Sequence, residues 1–266
     1  MNRLEKKSFV FEDNFQVWKL IKPAEAKLLV VELRNPLELS TVFICIDLNN
    51  QQVIWDDLAF ENAWSISITG MSAKNLFFTE FSDGQIPESK AVFSVSLENM
   101  EIGWYLENTV FEAVFQSCVM LKNNEDGVTK NLYINEDTGE SIEAENNLIN
   151  ASLTELQFPQ QYESETDYFS TVKNFLQQKR GISILKACDY LEWNSYIIIA
   201  YYEKSVNNKL NNNIIILDKN GELILEDILG TDLKGIATEA FFITEGKLIY
   251  IKDKKEITTI NLTRTL

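Results

Sequence analysis

Short apolar runs rich in β-branched and aromatic residues alternate with polar turn clusters along the whole chain, and helical periodicity surfaces once. Leu28–Leu33, Val42–Leu48, Val92–Leu97, Tyr196–Tyr202 and Ile214–Leu217 read as strands. Asn49–Gln52, Asp83-Gly84, Asp126-Gly127, Asp137-Thr-Gly139 and Lys219-Asn-Gly221 read as tight turns, because Gly, Asn and Asp tolerate the backbone conformations that turns require.

The pattern repeats. Ile46–Trp55 aligns with Val95–Trp104, and Ile134–Glu143 and Leu217–Glu226 fit the same frame, so that Asp47 falls on Ser96, Asn135 and Asp218. Each copy is a strand, a polar turn and a shorter strand, the outer hairpin of a propeller blade. Phe15–Leu20 and Ala63–Ile68 supply inner strands. Units of about 15–58, 63–106, 110–145, 148–229 and 238–262 result, the third without a well-placed inner turn near Phe115–Val119. The last has three strands, and Ser8–Glu12 lies where a fourth would. The expected fold is all-β: one propeller-like domain over 1–266, five-bladed, closed by pairing the terminal strands, which hides sheet edges. Six blades remain open if residues 146–229 hold two units.

One segment, 159–181, departs from the strand pattern as a helical insertion. A helix is predicted near 164–180, capped by Ser164 or Thr166 and stopped after Lys179-Arg180-Gly181. Phe169, Val172, Phe175 and Leu176 make one apolar stripe, which favours packing on the flank of the sheets over a lid or docking role.

An acidic residue followed by Asn recurs near the same point of the repeat, at Asp13-Asn14, Glu61-Asn62, Glu107-Asn108 and Glu145-Asn146, in steps of 48, 46 and 38 residues. Glu98-Asn99 falls off the series, inside a hairpin. In a propeller these pairs lie on crossovers at one face, where Asp13, Glu61, Glu107 and Glu145 would form a partial carboxylate ring. Glu112, Glu155 and Glu239 would project nearby. Glycosidases pair two carboxylates as acid and nucleophile or base, and carboxylate rings can hold Ca²⁺. A repeat, however, duplicates its turn chemistry in every unit, so turn formation outweighs a functional ring. Asp218-Lys-Asn-Gly221 and Asn135–Gly139 echo the start of a calcium loop but lack its spaced acids, and read as hairpin turns.

Charge and composition narrow the function. Forty acidic against 24 basic residues give a net charge of −16, which repels nucleic-acid backbones and anionic membranes. No histidine is present, so no catalytic triad and no HExxH zinc site can form. Neither a GxxxxGK[ST] loop nor a GxGxxG fingerprint occurs, and no cofactor is expected. Cys45, Cys118 and Cys188 form no CxxC and read as buried thiols of a reducing compartment. Lys6-Lys7 precede no long apolar stretch, so a cytoplasmic location without a secretory signal is expected. Of five tryptophans, Trp18 pairs with Trp64 and Trp55 with Trp104 in the repeat, which favours packing; Trp193 lies outside that scheme and is the expected exposed indole.

Asp167–Leu176, Cys188–Trp193 and Ile197–Tyr202 resemble an uncharacterised propeller-like family found mainly in Bacteroidetes, and the outer hairpins look like blades of the quinoprotein and WD40-like superfamily. The resemblance implies a fold and transfers no activity or site residue. The residues favour a non-enzymatic cytoplasmic propeller that binds a protein or peptide through one face, with Glu107, Glu145 and Trp193 on the candidate face. A glycosidase-like hydrolase using two of Asp13, Glu61, Glu112 and Glu239 is the alternative, and a structural or assembly subunit is a third reading.

Overall fold

The computed structural model describes residues 4–12, 14–22, 27–82, 87–115, 118–125, 128–143 and 156–263. They form two compact units, Asp13–Thr154 and Met1–Glu12 with Glu155–Leu266. The fold is mainly β, in five antiparallel sheets, with one α-helix among the described residues.

The first strand, β1 (Glu5–Val10), belongs to the last sheet of the chain. The unit of residues 13–154 follows, with three four-stranded sheets that each run in chain order. The first holds β2 (Gln16–Ile21), β3 (Leu28–Asn35), β4 (Ser40–Asp47) and β5 (Gln52–Leu58). After a short 3-10 turn, Ala63–Ser65, the second holds β6 (Ile66–Met71), β7 (Asn75–Phe81), β8 (Ser89–Ser96) and β9 (Ile102–Glu107). The third holds β10 (Thr109–Val114), β11 (Cys118–Glu125), β12 (Val128–Asn135) and β13 (Ser141–Ile142).

The recurring sequence frame corresponds to one recurring turn. Strands β4, β8 and β12 end at Asp47, Ser96 and Asn135, whose side-chain oxygens accept backbone N–H groups of the turn. Asp47 accepts from Asn49 and Asn50 at 2.7 and 3.1 Å, Ser96 from Glu98 at 3.2 Å, and Asn135 from Asp137 and Thr138 at 3.0 Å. In the other unit Asp218 accepts from Asn220 and Glu222 at 2.8 and 2.9 Å. These side chains replace backbone partners that a tight turn leaves unmatched. That is why small polar residues recur at these four positions.

Alternation along β7 builds the core of this unit. Phe78 and its strand neighbour Phe77 point to opposite faces, as a pleated strand requires. Phe78 joins Phe43, Phe60 and Phe93 in an aromatic cluster between the first two sheets, at ring distances of 4.9, 5.1 and 5.3 Å. Phe77 lies 5.9 Å from Trp104 and packs with Val114, Val119, Leu121 and Ile134 of the third sheet. The middle sheet is therefore apolar on both faces.

The other unit holds β14 (Gln160–Glu163), α1 (Asp167–Arg180), β15 (Leu185–Trp193), β16 (Tyr196–Lys204), β17 (Leu210–Asp218) and β18 (Leu223–Leu233), the strands forming one five-stranded sheet. Its second sheet is β19 (Phe241–Thr244), β20 (Lys247–Lys252) and β21 (Glu256–Asn261), with β1 on the far side of β21. Tyr196, Ile198, Ile214, Ile216, Phe241 and Tyr250 are among the buried residues joining the two sheets. Glu5 pairs with Asn261 and Val10 with Glu256. The first strand thus begins three residues and ends two residues earlier than Ser8–Glu12, in a register that sets Phe9 opposite Ile257 and buries it. Asp227 of β18 anchors it through Lys6 at 2.5 Å and also holds Lys252 at 3.0 Å and the Tyr250 hydroxyl at 2.7 Å. Burial alone would raise the Asp227 pKa, but these partners outweigh it and bring it down to about 2.

Thr166 caps α1 by accepting the Phe169 N–H, and Gly181 ends it in the left-handed conformation at φ 73°. Phe169, Val172 and Leu176 are buried against β15–β17 residues such as Cys188, Ile199 and Ile215, a flank-packing role. The helix is shorter than the 159–181 insertion because Gln160–Glu163 pairs with Ala187–Tyr190 as an edge strand. Its polar sequence has no alternation to mark it.

Candidate functional site

The most chemically distinctive cavity in the unit of residues 13–154 starts from a bulge. Along β2 and β3, Val17 pairs with Leu33 and Lys19 with Glu32, leaving Trp18 as the extra residue. A bulge re-aims a side chain, and here the Trp18 indole is 57% exposed. Two positions apart on β3, Glu32 and Arg34 share a face. Glu32 is fully buried in a run that is otherwise apolar. The third element is the Ala63–Ser65 turn, which Asn62 enters in the left-handed conformation at φ 57° and which presents Trp64.

These pieces meet around the guanidinium. Arg34 lies 5.1 Å from the ring centroids of both Trp18 and Trp64, within cation–π range of each. Its Nε–H donates to Glu32 at 2.6 Å, and its two terminal nitrogens donate to the carbonyls of Trp64 and Ile66 at 3.2 Å. The second oxygen of Glu32 accepts the Ser67 hydroxyl at 2.7 Å and the Ile68 N–H at 3.0 Å. A buried carboxylate without partners would be costly; this one accepts three hydrogen bonds, and it ties β3 to β6. Fully buried, it has no solvent access through which to exchange a proton with a substrate. The pKa of Lys19 is lowered, first by loss of solvent around its ammonium, with Glu32 opposing the shift and Arg34 adding to it.

Trp18, Arg34, Trp64, Phe81, Ser82 and Pro87 line an open cleft of about 600 Å³. Ser82 and Glu88 exchange two hydrogen bonds, of 2.9 and 3.3 Å, that fix the lip beside Pro87. The volume lies within the usual range for ligand pockets, and the mix of aromatic wall and few polar groups fits such a role. At aligned positions of the other second or third strands, Glu32 is replaced by Thr79, Lys122 and Ala200, each four residues beyond the residue paired to Ser96, Asn135 or Asp218. The cleft therefore breaks the repeat where the turns preserve it.

A second cavity, of about 360 Å³, lies in the other unit between α1 and its sheet, among Tyr162, Tyr168, Val172, Phe175, Tyr190 and Ile197. Tyr162 and Tyr168 stack at 5.1 Å, and the Tyr190 hydroxyl donates to Glu192 at 2.5 Å. Nearby, Asp189 is buried and accepts from Gln161 at 2.9 Å and from the Ala240 N–H at 3.3 Å. Burial raises its pKa and those bonds partly restore it. The pattern is that of a strand-to-loop tie.

Of the candidate residues, Glu61, Glu107, Glu112, Glu239 and Trp193 do not line the cleft. Asp13, Glu145 and Glu155 lie outside the described residues. Glu61 and Glu107 are exposed and precede Asn62 and Asn108, both at φ 57°, so these acid–Asn pairs are turn devices in local geometry. Glu112 forms an ion pair with Lys122 at 2.8 Å. Glu239 is exposed on the approach to β19. Trp193 is half-buried rather than the exposed indole, because it and Tyr196 flank a two-residue turn and stack at 6.5 Å with a 9° interplanar angle. Trp18, expected in packing, takes the exposed place. Among the described residues, no three Cys, Asp or Glu side chains converge on a metal position, and no helix is long and apolar enough to cross a membrane. All three cysteines are buried and outside disulfides, and burial raises the Cys45 and Cys188 thiols to about 12.

Residues 23–104 match a domain of unknown function, DUF4905. The match includes Arg34, Trp64, Phe81 and Pro87 and ends before the segments that carried the resemblance noted above. No curated protein matches the chain. Among solved structures, a member of the DUF4221 family from Bacteroides vulgatus is similar at 10% identity, covering 97% of both chains with a TM-score of 0.26. An oligogalacturonate lyase in complex with manganese is similar at 10% identity over 99% of this chain and 97% of that one, TM-score 0.34. A functionally unknown protein from Desulfotomaculum acetoxidans is similar at 10% identity over 97% and 92%, TM-score 0.31. At these scores the likenesses carry no argument about fold or activity.

Proposed function

We propose that the protein is a non-enzymatic, propeller-like binding module that takes a protein or peptide partner in the cleft of Trp18, Arg34 and Trp64. The observation that carries this reading is the exposed Trp18 indole over a guanidinium already held in place by Glu32, Trp64 and two carbonyls. Rigid aromatic and Arg anchors are the residues on which binding energy concentrates. Five blades follow if each of the five sheets is one blade, with β1 completing the last through β21. The three unbridged thiols support a reducing, cytoplasmic setting. The hydrolase alternative has no observation in its favour: Glu112 is ion-paired, and Glu61 and Glu239 sit exposed at turns or loops.

Selection of a random-peptide library displayed with free C-termini against the full-length protein tests this reading. Enriched sequences should bind, and Trp18→Ala should weaken them by about tenfold or more, since an exposed anchor indole is lost without disturbing the core. Failure to enrich any sequence, or equal binding by the variant, would sink it.

A further inference from the structure

Among the described residues, the guanidinium of the cleft has N–H groups to spare. A guanidinium carries five N–H groups in a fixed fork. Three bonds from Arg34 are spoken for, by Glu32, the Trp64 carbonyl and the Ile66 carbonyl. One N–H on each terminal nitrogen has no acceptor among the described residues. Arg34 lines the cleft, and about a tenth of its side chain (11%) reaches solvent. The local charge points the same way. Lys19 stands across the ladder from Glu32, so two cations face one carboxylate in a chain of net charge −16. Glu32 meets Arg34 through the Nε–H alone, and its other oxygen is taken by Ser67 and Ile68.

We propose that the two remaining N–H groups of Arg34 receive the C-terminal carboxylate of a peptide, with the last side chains of that peptide lying on Trp18. Planar carboxylate on a planar guanidinium allows two parallel bonds, the arrangement for which Arg is suited. A chain terminus fits better than an internal acidic stretch. The strongly acidic protein repels a peptide of several negative charges, whereas a single terminal charge can be carried by a neutral or basic sequence. Capture of a terminal carboxylate is also a recurring mode of peptide recognition, since every protein chain offers one end.

This inference rests on the peptide-binding reading, and the test separates the two. Two random hexapeptide libraries, identical except that one ends in a free carboxylate and the other in an amide, are passed over the immobilised full-length protein and the retained peptides are identified by mass spectrometry. The free-acid library should be retained, with enrichment confined to the last two or three positions, and amidation of the best sequences should weaken binding by about tenfold or more. Trp18→Ala, at an exposed position, should lose the same peptides while its unfolding transition is unchanged. Equal retention of acid and amide overturns the carboxylate assignment and leaves peptide binding standing. Retention of neither library overturns both.

Discussion

Glu32→Ala should destabilise the protein by about 3–5 kcal/mol, the usual cost of removing one partner of a buried, hydrogen-bonded charge pair. The change leaves the Arg34 guanidinium without its counter-charge between two indoles and strands the Ser67 hydroxyl and the Ile68 N–H in the interior. Replacing both members, as Glu32→Leu with Arg34→Leu, should recover part of the loss, because the uncompensated guanidinium charge is removed while the Ser67 hydroxyl and the Ile68 N–H stay without Glu32. Urea unfolding of Glu32→Leu, Arg34→Leu and the double variant forms a cycle that isolates the coupling. A single-variant loss below about 1 kcal/mol would place the pair with ordinary surface ion pairs and remove its structural role.

Phe78→Ala should cost a similar amount, about 3–5 kcal/mol, through a different mechanism. Phe78 is fully buried and meets Phe43, Phe60 and Phe93 at ring distances between 4.9 and 5.3 Å, so truncation opens a cavity between two sheets rather than a charge defect. Phe78→Leu keeps much of the volume and should lose clearly less. The neighbouring Phe77 stacks with Trp104 of its own sheet and faces Val119, Leu121 and Ile134 of the third sheet, so its truncation should report on that other interface. Chemical unfolding followed by fluorescence measures all three. Equal stability of Phe78→Ala and wild type would contradict face-to-face packing of the first two sheets.

Much of the fold was legible because its signals are local. The alternating runs became strands, and the Asp47, Ser96, Asn135 and Asp218 frame became one repeated turn whose side chains bond the same backbone positions. The α1 stripe of Phe169, Val172 and Leu176 became its buried face. Elements that depend on pairing were harder. Gln160–Glu163 has no strand pattern of its own and acquires strand geometry from β15, and β1 begins earlier than its apolar residues imply because β21 sets its register.

The cleft was mostly illegible for the same reason. Trp18 and Trp64 looked equivalent by repeat position, yet a bulge exposes Trp18 while Trp64 is half-buried on a short 3-10 turn, and both flank Arg34. A bulge has no dependable signature in sequence. One usable signal was present: an acid at Glu32 inside an apolar run, with Arg34 two residues on and therefore on the same strand face. The acid–Asn pairs drew attention instead because they recur. Recurrence here marks turn chemistry at Asn62 and Asn108, whereas the candidate site lies where the repeat is broken.

Hydrogen–deuterium exchange of the full-length protein, with and without a selected peptide, tests the location of binding most directly. Binding in the cleft predicts added protection in Gln16–Ile21, Ala63–Ser65 and the Phe81-Ser82 lip, and no change in Asp167–Arg180. Protection confined to the helix and its tyrosine cavity, or no added protection at saturating peptide, would contradict it.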